Sequence, residues 1–151
     1  SYMIKKIVNN YNELATYFVW GVSWVSVFGS LYFSEIKGFV PCDLCWWQRL
    51  LIYPLAIIST VAIIRKDYKN FMYYVLPFGV LGFIVSLYHS LLQWGVIEKN
   101  ILDCTATGVS CSKPEIEIFG FITIPFLSFL AFTALTVVSG ISIYIQHKKV
   151  N

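Results

Sequence analysis

The sequence predicts an all-α fold, an integral membrane four-helix bundle in which two cysteine-bearing loops share the extracytoplasmic face. Three observations carry that prediction. The 151 residues are 58% hydrophobic and only 13% charged, with a mean hydropathy of +0.69, too apolar for a surface that must face water. Four apolar runs, each near the roughly 20 residues that cross a bilayer, fill most of the chain as one membrane domain, 1–151, and leave no room for a separate soluble domain. The four cysteines fall in two pairs, Cys42 with Cys45 and Cys104 with Cys111, in the first and third connections between those runs.

The first span is expected at about 14–33; it is too long for a signal-peptide core and no small-residue cleavage site follows it. Met3-Ile4-Lys5-Lys6 reads as a natural start, so Ser1-Tyr2 are set aside from the fold argument. After a polar break from Glu35 to Pro41, the second span is expected at about 45–64, beginning at the cysteine motif and stopped by Arg65-Lys66-Asp67-Tyr68-Lys69. Pro54 lies inside it, removing one backbone hydrogen bond and favouring a kink. The third span is expected at about 71–94 and the fourth at about 119–145. Between them runs the one long loop, rich in Gly, Asp, Thr and Ser, which carries Cys104 and Cys111. Its distal part, Pro114 to Ile124, alternates charged and apolar residues and is expected to lie at the interface as a short amphipathic segment. No internal repeat or low-complexity segment is evident.

Orientation follows from the cations. Lys5, Lys6, Arg65, Lys66, Lys69, Lys148 and Lys149 fall on one side of the four spans, and Lys37, Arg49, Lys99 and Lys113 on the other. The positive-inside rule then places both termini in the cytoplasm and both cysteine pairs outside, where thiols persist as disulfides. The net charge of +3 is spread over the ends of apolar runs, which excludes a nucleic-acid-binding stripe.

The cysteines carry the chemistry. Cys42 and Cys45 form a C-x-x-C at the start of a helix, whose positive terminus favours the reactive thiolate. Arg49 lies four residues after Cys45 and so on the same helix face. Its permanent charge lowers a nearby thiol pKa and stabilises negative charge on a reduced organic acceptor at the membrane rim; taken alone, it also fits an interfacial anchor that snorkels to headgroups. Cys104 and Cys111 close a small loop, DCTATGVSC, that presents a sulfur to another protein, or else holds a structural disulfide. A zinc site completed by Cys104, Cys111 or His89 is disfavoured by the seven-residue spacing and the apolar surroundings. His89, the ionisable group within the third span, is either a functional group at the level of Arg49 or a neutral histidine bonded to a neighbouring helix. Trp46, Trp47, Trp94, Tyr53 and Tyr88 suit an aromatic pocket for a flat ligand, and equally an aromatic belt at the interface.

Pro41-Cys42-x-x-Cys45-x-x-Gln48-Arg49, the later pair Cys104 and Cys111, and His89 in the third of four spans come in one order. In that order the chain resembles the disulfide bond formation protein B family over essentially its full length, and in size the short Gram-positive members of the BdbC type. The resemblance implies a quinone-dependent thiol:disulfide oxidoreductase of the bacterial cytoplasmic membrane that supports disulfide formation in exported proteins. Its implied partner is an extracytoplasmic thioredoxin-fold thiol oxidase of the DsbA/BdbD type, and its implied acceptor a membrane quinone, menaquinone or ubiquinone. Carried over by position, Cys104 is attacked by the partner, Cys42 exchanges with the Cys104–Cys111 pair, Cys45 faces the quinone, Arg49 supports the charge there, and His89 lies near the quinone. The loop from Cys104 to Cys111 is much shorter than in Gram-negative members. Two other classes share part of this pattern. A vitamin K epoxide reductase-like protein carries its C-x-x-C after the loop cysteines, the reverse of the order here. A non-enzymatic membrane metal-binding or assembly protein would hold stoichiometric metal through mild chelation.

Overall fold

The computed structural model describes the backbone of residues 2–36, 43–93, 117–118 and 122–150, and the side chains of 2–36, 46–91 and 126–148. Helix α1 runs Tyr2–Leu31 and passes into a single π-helical turn, Tyr32–Ile36; α2 is Asp43–Arg65, α3 Tyr68–Gln93 and α4 Ile124–Val150. Each of the four is long and apolar enough to cross a membrane.

Helix α1 begins twelve residues before the Leu14 that hydropathy marks as its start. Hydropathy registers where lipid can surround a helix, not where the backbone stops being helical, and no Gly or Pro interrupts the chain before Gly21. At the other end of the chain the difference runs the opposite way. The expected fourth span opens at Phe119, whereas α4 starts at Ile124 with Pro125 in its first turn, where a missing N–H costs nothing. Ahead of it, two-residue strands β1 (Glu117–Ile118) and β2 (Ile122–Thr123) pair antiparallel, Glu117 opposite Thr123 and Ile118 opposite Ile122. The charged–apolar alternation read as an interfacial amphipathic segment has a period of two, which is the period of a strand.

Between α2 and α3 the chain reverses in two residues. Lys66 takes φ 56°, the Lys66 N–H donates to the Ile63 carbonyl (3.2 Å), and the Asp67 N–H donates to the Ala62 carbonyl (3.0 Å). That pair of bonds is a Schellman closure, with lysine where glycine is usual.

The core of the bundle mixes apolar with polar side chains, and its outer surface is apolar where that of a water-soluble bundle would be polar. Asn12, Thr16, Ser23, Gln48, Ser59, Ser86, His89, Ser90, Ser139 and Ser142 are buried among Val19, Leu55, Phe71, Met72, Val75 and Leu135. Leu14, Val25, Phe28, Leu50, Ile57, Ile64, Ile84 and Val137 are exposed, as expected where lipid is the solvent. Most of the buried hydroxyls bond to their own helix: Thr16 to the Asn12 carbonyl (2.8 Å), Ser86 to Gly82 (2.7 Å) and Ser139 to Leu135 (2.7 Å). Others stitch helices together. The indoles of Trp20 and Trp24 both donate to the Thr60 hydroxyl, each at 3.1 Å, tying α1 to α2. Ser142 donates to Asn12 Oδ1 and the Tyr11 hydroxyl to the Val138 carbonyl (3.1 Å), tying α1 to α4. Helices α3 and α4 approach most closely, at Gly82 against the Phe132 ring and Gly79 against Thr136.

Candidate functional site

Helix α2 is unbroken from Asp43 to Arg65, so Cys45 in its first turn and Arg49 stand one turn apart. The Arg49 guanidinium reaches across to α1, donating to the Ser30 carbonyl (3.2 Å) and to the Ser34 hydroxyl. One turn further along α2 the Tyr53 hydroxyl donates to Ser30 Oγ (3.2 Å). Two i,i+4 pairs, Ser30 with Ser34 and Arg49 with Tyr53, therefore meet at the helix interface. They meet where α1 gives way to its π turn, a change in ladder register common at functional sites. The Trp46 ring lies 5.1 Å from the guanidinium carbon, a cation–π contact on the other side.

Arg49 stands at the head of a cavity of about 710 Å³ between α1, α2 and α4. Ser30, Ser34, Gln48 and Arg49 line its polar end; Ile52, Val22, Val25, Leu127, Ala131 and Phe132, with Ser26 and Ser128, line the rest, down to Tyr17 and Phe18. From Ser34 to Tyr17 the wall follows α1 for about 25 Å at 1.5 Å per residue. Gly21 and Gly29 open it: a methyl group on either would meet nothing within 4 Å. A long apolar trough with one cationic, hydrogen-bonding end fits an amphipathic molecule that has an oxygen-bearing head and a hydrocarbon tail.

A second groove of about 690 Å³ lies on the outer face of α2, lined by Trp46, Trp47, Arg49, Leu50, Tyr53, Pro54, Ile57 and Ile58. Three of the aromatics expected to form a pocket thus share one surface. Tyr88 is not part of its lining, and Trp94 lies outside the described residues.

His89 is fully buried on α3. Its Nδ1 lies 3.0 Å from Nε2 of Gln48, also buried, and Gln48 rather than His89 lines the large cavity. Cys42, Cys104 and Cys111 lie outside the described residues, as does the Cys45 side chain. Among the described residues no three His, Cys, Asp or Glu side chains gather around a common point.

Ser30, Ser34, Gly21 and Gly29 form part of the site without having been singled out from the sequence, and Gln48, named there only as part of the cysteine motif, lines the cavity. The spacing of the serines by four, across the end of α1 into its π turn, and of the glycines by eight along α1 is the signal that brings each pair to one side; serine and glycine are too common in membrane helices for that spacing to stand out.

A membrane-embedded four-helix bundle with a C-x-x-C at the head of one helix, and a cationic cavity one turn below it, defines a class of redox membrane protein. The profile of "Disulfide bond formation protein DsbB" matches residues 12–142, and the chain belongs to that family. Among similar proteins are "Disulfide bond formation protein C" of Bacillus subtilis, 46% identical over 77% of this chain and 83% of that protein, and "Probable disulfide formation protein C 1" of Bacillus anthracis, 40% identical over 87% and 93%. A "Probable disulfide formation protein" of Coxiella burnetii is 42% identical over 85% of each. No solved structure gives a significant match. The chain is a disulfide-forming, multi-pass bacterial membrane protein.

Proposed function

We propose that the chain is a quinone-dependent thiol:disulfide oxidoreductase that recharges an extracytoplasmic thioredoxin-fold thiol oxidase. The observation that carries the proposal is Arg49, fixed by Ser30 and Ser34 at the head of a trough long enough for an isoprenoid tail, one helical turn from Cys45. The reduced partner's thiolate attacks the Cys104–Cys111 disulfide at Cys104, and the partner's second thiolate releases its own disulfide. The Cys104–Cys111 dithiol then reduces the Cys42–Cys45 disulfide by the same exchange, with Cys42 as the sulfur attacked. Cys45 and Cys42 return to the disulfide as two electrons and two protons leave for the acceptor. A bound quinone supplies the oxidising power and leaves as hydroquinone. Arg49 holds the negative charge that develops on the acceptor oxygen, a task suited to a cation that cannot deprotonate. The excess of Lys and Arg at the termini and the α2–α3 turn supports an orientation with both cysteine loops outside.

The test is quinone reduction by the purified protein, driven by a reduced thioredoxin-fold dithiol. Turnover is expected in the wild type and absent in Cys45→Ser. A partner lacking its resolving cysteine should form a trapped mixed disulfide with the wild type and with Cys45→Ser, but not with Cys104→Ser. An adduct that persists in Cys104→Ser and vanishes in Cys42→Ser reverses the relay order, and a wild type that reduces no quinone sinks the proposal.

A further inference from the structure

Gln48 and His89 form a further polar pair beside Arg49, one that the thiol relay does not use. Gln48 is 6% exposed and forms part of the cavity wall beside Arg49, while His89 is 0% exposed and stands behind it. The two are joined by Nε2 of the amide and Nδ1 of the imidazole at 3.0 Å.

A carboxamide has a donor end and an acceptor end, and His89 engages one of them. When Nδ1 of His89 carries no proton, the amide N–H₂ turns to it and the amide oxygen turns to the cavity. When Nδ1 carries the proton, the amide turns over, its oxygen accepts from the imidazole, and its N–H₂ faces the cavity. The state of the imidazole is thereby converted into a donor or an acceptor on the cavity wall. A quinone oxygen only accepts hydrogen bonds; a hydroquinone hydroxyl also donates.

We infer that Gln48 is a ligand-binding residue that distinguishes the oxidised from the reduced form of the acceptor, and that His89 is the positioning residue that sets which end of the amide it presents. This inference rests on the acceptor being a quinone. It assigns His89 no contact with the acceptor. With the amide nitrogen toward His89, the oxygen is the end left for a ligand, and an accepting end favours the hydroquinone. Reversal of the amide favours the quinone, so the state of His89 sets which form the cavity wall prefers.

The experiment measures, by quenching of tryptophan fluorescence, the dissociation constants of a short-chain quinone and of its hydroquinone, under anaerobic conditions with the protein in its disulfide form. Gln48→Met, nearly isosteric and without the amide, should change the ratio of the two constants roughly tenfold, the worth of about one hydrogen bond. His89→Leu should change it in the same direction, and the double variant no further than Gln48→Met alone, since the two act as one unit. His89→Asn, whose amide reaches the position of Nδ1, should restore the wild-type ratio, and it tests the idea even if His89→Leu does not fold. Three results overturn the inference: a ratio unmoved in Gln48→Met, equal weakening of both forms, or a loss in His89→Asn as large as in His89→Leu, which would make His89 itself the contact. Binding of neither form by the wild type removes the quinone reading and this inference together; binding with an unmoved ratio removes only this inference.

Discussion

Two pairs of glycines in this bundle do opposite things. On α3, Gly79 and Gly82 are covered: a Cβ at Gly82 would lie 2.1 Å from the Phe132 ring, and one at Gly79 would lie 2.7 Å from Thr136 Oγ1. On α1, Gly21 and Gly29 face open space and line the large cavity. The first pair lets two helices close on each other, with van der Waals contact replacing the hydrophobic force that lipid does not supply. The second pair leaves room in the trough where α1 faces α2 and α4. One residue type marks a close-packed half, α3 with α4, and a hollow half, where α1 meets α2 and α4. Phe132 belongs to both, packed against Gly82 on one side and lining the cavity on the other.

The contrast can be broken at its strongest point. Gly82→Ala should cost about 3 kcal/mol, the upper range for overpacking, because an aromatic ring held in the core cannot yield as a flexible chain end would. The measurement is thermal unfolding in detergent, with Gly21→Ala as the control. That control should be neutral or stabilising, since the added methyl meets nothing and alanine is the better helix former by about 1 kcal/mol. Equal losses in the two variants would erase the distinction between the halves.

Within the hollow half, the polar head should matter more than the tail. Arg49→Ala removes two charge-assisted hydrogen bonds and the contact over Trp46, and should lower kcat/KM for the quinone by roughly 10–100-fold. Thiol–disulfide exchange with the partner should persist. Arg49→Lys should not restore the loss, because a point charge does not reproduce the planar fork. Unchanged quinone kinetics would leave Arg49 as an anchor to the membrane surface.

A smaller effect is expected further down the trough. Gly21 lies thirteen residues from Ser34, about 20 Å along α1, so Gly21→Phe should raise KM by roughly tenfold for a long-tailed quinone, as one lost apolar subsite would. A short-tailed analogue, which does not reach that depth, should be turned over as before. Equal effects on both would show that the substitution disturbs the head of the site and not the tail groove.

The smallest effect belongs to neither half. Lys66 closes the α2–α3 turn at φ 56°, a conformation glycine adopts without the strain of a side chain, so Lys66→Gly should stabilise the protein by about 1 kcal/mol in the same unfolding assay. A loss instead would mean that the lysine charge at the helix end outweighs its backbone strain.

The sequence by itself determined the all-α membrane class, the four spans and the register of Cys45 with Arg49, because each rests on local chemistry: apolar length against bilayer thickness, and a fixed rise per residue. It also supplied the cysteine order that marks the family. Helix ends were less legible. The polar first turns of α1 are helical although hydropathy excludes them, and a strand pairing displaces the start of α4. Only the tertiary structure decided what lies beside what. It placed Ser30 and Ser34 against Arg49, put Gln48 between His89 and the cavity, and separated glycines that pack from glycines that open a space. The physical reason is common to all three. Each depends on which face of one helix meets another, and in a bundle whose outside is as apolar as its core, with serine, threonine and glycine on many faces, hydropathy along one helix does not specify that meeting.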